Sequence, residues 1–146
     1  MLLTEAVAIG LVLGFFCYEW SGFSAGGFVV PGYVALYWDR PMMVAVTLAL
    51  ALLVYFAIEG IARVAVVYGR RRFTLAVLLG FFGHWLLQSV STAWAVPFEA
   101  DAIGFIIPGL IANEMARQRV LPTICTTIGL SVAVRLILIG LGRLTP

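Results

Sequence analysis

The chain has no lysine, a single histidine and two cysteines, and only 11% of its residues carry charge. Each shortage excludes something. With so little charge, a soluble domain of 146 residues could not cover its own core, and no stretch is long and polar enough to form a separate soluble domain. A nucleotide-binding domain on this chain is therefore excluded, and neither a P-loop nor a GxGxxG pattern is present. Cys17 and Cys125 are far apart, each inside an apolar run, with no CxxC. They read as buried, reduced packing residues, and no metal-ligand cluster is visible, so no metal site is expected. The N-terminus carries Glu5 and no basic region, so the first apolar run is expected to stay as a membrane segment rather than leave as a signal peptide.

What is present is hydrophobic: 63% of the residues, with a mean hydropathy of +1.09. The chain reads as an all-α integral membrane protein and a single membrane domain over 1–146. All nine basic residues are arginines, which bind carboxylates and phosphates in planar, bidentate fashion and stay charged beside a membrane. Codon bias and the usual excess of cationic residues on the cytoplasmic side would also produce them. The net charge is only +2, and no nucleic-acid partner is expected.

One ten-residue stretch occurs twice. Gly27-Phe28-Val29-Val30-Pro31-Gly32-Tyr33-Val34-Ala35-Leu36 returns, 77 residues on, as Gly104-Phe105-Ile106-Ile107-Pro108-Gly109-Leu110-Ile111-Ala112-Asn113. Five positions are identical and four more exchange one apolar residue for another. Proline removes a backbone N–H and glycine frees the next φ, so each copy predicts a defined break in an apolar segment. The chain then divides into two internal repeats, 1–69 and 73–146, each a helix, a Pro-Gly-broken segment and a helix, joined by a basic loop at 68–73.

In chain order, segment one (6–18) carries Gly10 and Gly14, a small-residue face that lets another helix approach. Segment two (23–38) holds the first break and ends in Tyr37 and Trp38, expected at an interface, before the polar turn Asp39-Arg40-Pro41. Segment three (42–58) runs into Glu59 and Arg63, four residues apart in the favourable order for an ion pair at the membrane rim. Arg70, Arg71 and Arg72 are the strongest topological signal and belong on the cytoplasmic side. Segment four (74–96) carries His84 and Gln88 on one face. An intramembrane histidine is a functional candidate, or else a satisfied packing residue. The acidic stretch Pro97-Phe98-Glu99-Ala100-Asp101 should face away from the arginines. Segment five (102–113) holds the second break and precedes Arg117 and Arg119. Segment six (123–141) carries Arg135 well inside it, where it must snorkel, pair or line a polar cavity.

Segments two and five are short for complete spans. If they are re-entrant, the chain has four spans and parallel repeats. If they cross, it has six short spans and inverted repeats, which sorts the arginines better and brings the freed backbone N–H groups together near the midplane, where they could bind anions.

The Pro-Gly blocks, with Asp39-Arg40-Pro41 and Tyr68-Gly69-Arg70-Arg71-Arg72-Phe73 in this order and spacing, resemble the PgsC/CapC family, the small membrane subunit of poly-γ-glutamate synthase. The basic block has arginine in its third place where the family pattern has lysine. The resemblance implies a multi-pass protein of the bacterial plasma membrane. Its partners would be a cytoplasmic PgsB/CapB-like amide ligase and a PgsA/CapA-like export subunit. ATP and a divalent metal would belong to the ligase, and this chain would carry no cofactor and no catalytic residue. Its part would be to anchor the ligase and to help conduct poly-γ-glutamate, one carboxylate per residue, across the bilayer. Residues expected on the polymer path or at the helix breaks are Pro31, Gly32, Pro108, Gly109, Asn113 and Arg135. Those expected to dock the partner are Arg70, Arg71, Arg72, Arg117 and Arg119.

Three rivals remain. A stand-alone transporter or channel would use the paired breaks, and at this size would need to form a homo-oligomer. A membrane-embedded enzyme would use His84 with Glu19 or Glu59, although nothing brings them together by spacing. A structural scaffold would be indifferent to Arg135.

Overall fold

The structure, a computed structural model, describes residues 1–93 and 104–144. The acidic stretch at 97–101 lies outside them. The described residues form six helices and no strand: α1 (Leu2–Ser21), α2 (Val30–Leu36), α3 (Pro41–Ala62), α4 (Arg70–Ala93), α5 (Ile107–Gln118) and α6 (Val120–Gly140). Of these, α1, α3, α4 and α6 are long and apolar enough to cross a bilayer. The short helices α2 and α5 are the segments that carry Pro-Gly.

Pro31 and Pro108 stand in the first turn of α2 and α5. There a missing N–H removes no helical hydrogen bond and the fixed φ suits the helix. The pair thus starts a short helix after a non-helical approach, rather than bending a helix part-way along. The approach to α2 uses positive φ at Gly22, Gly26 and Gly27.

Contacts fix the direction of each helix. Glu5 at the start of α1 pairs with Arg143 just past α6, at 3.2 Å. Trp38 and Asp39, beyond α2, bond to Ser131 and Arg135 in the second half of α6. Ser24, after α1, bonds to Gln118 at the end of α5. Ile58, late in α3, packs with Ala76, early in α4. So α1, α3 and α5 run toward the end of the bundle that holds Arg70, and α2, α4 and α6 run away from it.

The core has three parts. In one cluster Ala6 of α1, Ala35 of α2, and Val134 and Leu138 of α6 pack together. In another, Ala76 of α4, Ala112 of α5, and Val54 and Ile58 of α3 do the same. Between them, Val30 and Val34 of α2 meet Ile107, Ile111 and Met115 of α5, with Met43 and Ala51 of α3. The third helix of each half is therefore packed against the other half.

Small residues make this possible. A Cβ on Gly32 would lie 2.6 Å from the Ala6 carbonyl oxygen, and one on Gly109 would lie 2.5 Å from that of Ala76. Across the same contacts, a Cβ on Gly10 or on Gly80 would meet the backbone N of Gly32 or Gly109 at 2.8 Å. Close backbone approach of this kind drives helix packing where lipid gives no hydrophobic advantage. The glycine face of α1 thus serves packing within the chain. Buried hydroxyls inside the spans are satisfied locally: Thr47, Thr123 and Thr127 each donate to the carbonyl four residues back, at 2.7–2.8 Å.

Several expectations are corrected. Cys125 is exposed and Cys17 half-buried, both as free thiols. On a span the outward face is as apolar as the core, so an apolar run does not tell which way a cysteine points. Glu59 and Arg63 form no ion pair among the described residues, although Arg63 keeps helical angles as the cap of α3; the Glu59 side chain is instead hydrogen-bonded to Tyr55, one turn earlier. Of His84 and Gln88, only His84 is buried.

Candidate functional site

Arg70, Arg71 and Arg72 are not in a loop: they are the first turn of α4. The turn is preceded by Gly69 at φ 59°. Helical geometry sends consecutive side chains in different directions. Arg70 and Arg72 line a cleft of about 590 Å³ against α5, together with Phe73, Thr74, Asn113 and Arg117. Arg71 lines a separate apolar hollow with Leu75 and Leu78, also touched by Arg70. Asn113 stands in the second copy of the repeat where the first copy has Leu36, so the cleft is polar at a position that is apolar in the first half.

The cleft is cationic on both walls. Arg72 Nε is buried and has no hydrogen-bond partner among the described residues. Arg117, on the α5 wall, donates from Nη1 to Glu114 Oε1 at 3.2 Å. The Glu114 side chain is only 11% exposed, so this is a sheltered carboxylate rather than a solvated rim charge. The first N–H groups of α4 point toward the same end, where the helix dipole is positive.

Below the cleft, Gln118 ties the end of α5 to the glycine-rich segment after α1. Its Oε1 accepts from Ser24 N at 2.9 Å, and its Nε2 donates to the Ser24 carbonyl and to Thr123 Oγ1. Arg119 follows with φ 79° and ψ 160°, the described non-glycine residue in the left-handed half of backbone space, and joins α5 directly to α6. Such a conformation costs of order 1–3 kcal/mol and persists only where neighbours hold it; the Gln118 bonds on one side and the Thr123 bond to the Arg119 carbonyl on the other do so.

The residues named from sequence therefore divide. Arg70, Arg72, Arg117 and Asn113 come together. Arg71 faces away and Arg119 is exposed at the α5–α6 junction. Pro31, Gly32, Pro108 and Gly109 are buried against α1 and α4. Arg135 is toward the opposite end, where its Nη2 donates to Asp39 Oδ1 at 2.5 Å and its Nη1 lies 3.5 Å from the Ala35 carbonyl. Its charge is thus held by a carboxylate of this chain. Sequence reading passed over Glu114 and Gln118. The i,i+3 spacing of Glu114 and Arg117 was a usable signal, whereas nothing in the spacing links Asp39 to Arg135 or Ser24 to Gln118. No group of His, Cys, Asp and Glu able to hold a metal ion occurs among the described residues.

Residues 9–124, well over half of the chain, match the family described as Capsule biosynthesis CapC. This chain belongs to the CapC family. The family assignment agrees with two curated relatives. The chain is 37% identical over 128 residues to the "Capsule biosynthesis protein CapC" of Bacillus anthracis, covering 86% of each chain. It is 32% identical over 130 residues to the "PGA biosynthesis protein CapC" of Bacillus subtilis (strain 168), again with 86% of each covered. No solved structure matches it significantly. The CapC match runs from within α1 to the start of α6, and so includes the whole arginine cleft and both Pro-Gly helices.

Proposed function

We propose that this CapC-family chain is the membrane subunit of a poly-γ-glutamate synthesis and export complex in the bacterial plasma membrane. It anchors a cytoplasmic ATP-dependent amide ligase and helps conduct the polyanion outward, with an export subunit as a further partner. ATP and its divalent metal belong to the ligase. The observation that carries this reading is the arginine cleft in a chain whose relatives are named for capsule and PGA biosynthesis. A polycarboxylate needs fixed positive charge where it leaves its ligase, and Arg70, Arg72 and Arg117 supply it in one place.

Orientation follows from charge. Arg63, Arg70, Arg71, Arg72, Arg117 and Arg119 gather at one end; Arg40, Arg135 and Arg143 lie toward the other. The first end is cytoplasmic by the positive-inside rule. The two halves are inverted repeats in this reading. The matched clusters of α1, α2, α6 and of α4, α5, α3, and the opposite directions of α1 and α4, support it.

The test is a tagged pull-down from mild detergent with the host's candidate ligase co-expressed, followed by an assay of ATP-dependent glutamate polymerisation. Co-elution with polymer formation is expected. A ligase that alone makes and exports polymer in a host lacking this chain overturns the proposal. The paired Pro-Gly helices favour a second reading, a stand-alone transporter, which would move substrate in liposomes with no partner present.

A further inference from the structure

We propose that the cleft between α4 and α5 is a carboxylate-binding site for the acidic polymer, and that Glu114 is its built-in competitor, released from Arg117 when a polymer carboxylate enters. The inference deepens the function proposed above and rests on it.

Three observations on the cleft converge. First, it is roomy and lined by arginines from two elements, Arg70 and Arg72 from α4 and Arg117 from α5, with Asn113 also on its α5 wall. Guanidinium groups converging from two walls suit a ligand that carries several anionic groups in series. Second, Arg72 Nε is a buried donor with nothing to donate to among the described residues. No carboxylate among the described residues pairs with Arg72, so its charge is open to an anion in the cleft. Third, Arg117 already holds one carboxylate, that of Glu114 behind the cleft lining, at 3.2 Å. Arg117 is therefore already placed to take the group that poly-γ-glutamate presents at each residue. Glu114 and Arg117 are one helical turn apart, so the arginine can turn from one carboxylate to another without moving the backbone.

The exchange swaps one carboxylate for another on Arg117, at the cost of leaving Glu114 without its partner. Without polymer, Glu114 neutralises Arg117, and Arg72 has no counter-ion among the described residues. With polymer, the incoming carboxylates take Arg72, Arg70 and Arg117, and the sheltered Glu114 gives up its bond to Arg117. Self-competition of this kind weakens binding at any one residue, which suits a chain that must advance.

The experiment uses the full chain in nanodiscs of zwitterionic lipid and a short fluorescent oligo-γ-glutamate, read by anisotropy. A second arm replaces the oligomer's carboxylates by amides on the same backbone. A third adds phosphatidylglycerol to the nanodisc. Expected are binding of the acidic oligomer, none of the amide oligomer, and persistence of binding in the third arm. Arg72→Gln should weaken binding by about tenfold, the value of one charge-assisted hydrogen bond. Glu114→Gln should tighten it several-fold. These opposite signs cannot both come from misfolding. Unchanged affinity in Arg72→Gln, or weaker binding in Glu114→Gln, overturns the inference. Loss of oligomer binding in phosphatidylglycerol, with the lipid ordered at the cleft, would make this a lipid-phosphate site instead. Failure here leaves the broader function standing if cells lacking this chain still stop making polymer; if such cells make it normally, the broader reading fails as well.

Discussion

The junction of α1 with α2 and the junction of α4 with α5 use one frame and differ in what hangs on it. In both, an alanine and a glycine on the long helix receive the glycine of Pro-Gly: Ala6 and Gly10 in the first half, Ala76 and Gly80 in the second. In both, a phenylalanine before the short helix lies against the long one. There the halves part. Phe28 sits over Gly14, where a Cβ would be 3.2 Å from its ring, whereas Phe105 meets the His84 ring edge-on at a centroid distance of 4.5 Å. At the start of the long helix, Glu5 is neutralised by Arg143, while Arg70 and Arg72 open onto the cleft. The shared frame shows what packing requires; the residues present in only one half mark what was added to it.

The comparison breaks most sharply at the shared part. Gly32→Val and Gly109→Val should each abolish recoverable folded protein, because overpacking costs about 1–3 kcal/mol even against side chains, and here the obstacle is backbone. Size-exclusion chromatography in detergent would check this. A large effect in one variant and none in the other would show that the two junctions are not built alike. Next in size is the pair at the opposite end. Asp39→Asn leaves Arg135, 17% exposed, without its carboxylate, whereas Arg135→Leu leaves only Asp39, 65% exposed and open to water. Thermal unfolding should show Asp39→Asn the worse, by of order 1–3 kcal/mol, between the surface and buried limits.

A smaller effect concerns the added histidine. His84 Nδ1 is buried with no partner among the described residues. His84→Phe should therefore keep the ring contact with Phe105 and raise the unfolding temperature, while His84→Ala should lower it, each by about 1 kcal/mol in stability. A drop in polymer output for His84→Phe in folded protein would show that the histidine does more than pack. The smallest effect belongs to Glu5→Gln, which breaks a half-exposed pair with Arg143 and should change stability by no more than about 1 kcal/mol.

Much of this frame was legible in the sequence. Hydropathy gave the membrane class and the four long helices, and the doubled Pro-Gly block marked α2 and α5. Helix ends were less legible. Arg70 to Arg72 read as a loop because charge at a membrane edge looks alike whether helical or not. The correspondence of Ala6 and Gly10 with Ala76 and Gly80 was missed, since two small residues in an apolar run carry little information until their partners are known. The cleft itself could be only half foreseen: its arginines and Asn113 were named, but that Arg70 and Arg72 rather than Arg71 face Asn113 depends on helix phase. Arg135 was placed on a polymer path by its depth alone. Its partner Asp39 lies beyond another helix, and no spacing rule reaches it.

The exchange of third helices has a consequence for how the protein is made. The inner face of α3, from Met43 to Ile58, finds its partners on α4 and α5, which are not yet synthesised when α3 leaves the ribosome. Asp39 waits longer still, for Arg135 on the last helix. The first three helices are thus a half-built object that the bilayer must shelter until the chain is finished. A message truncated after α3 would yield a product for quality-control proteases, while residues 1–69 and 70–146 supplied as two chains would still hold together, since neither half is complete without the other.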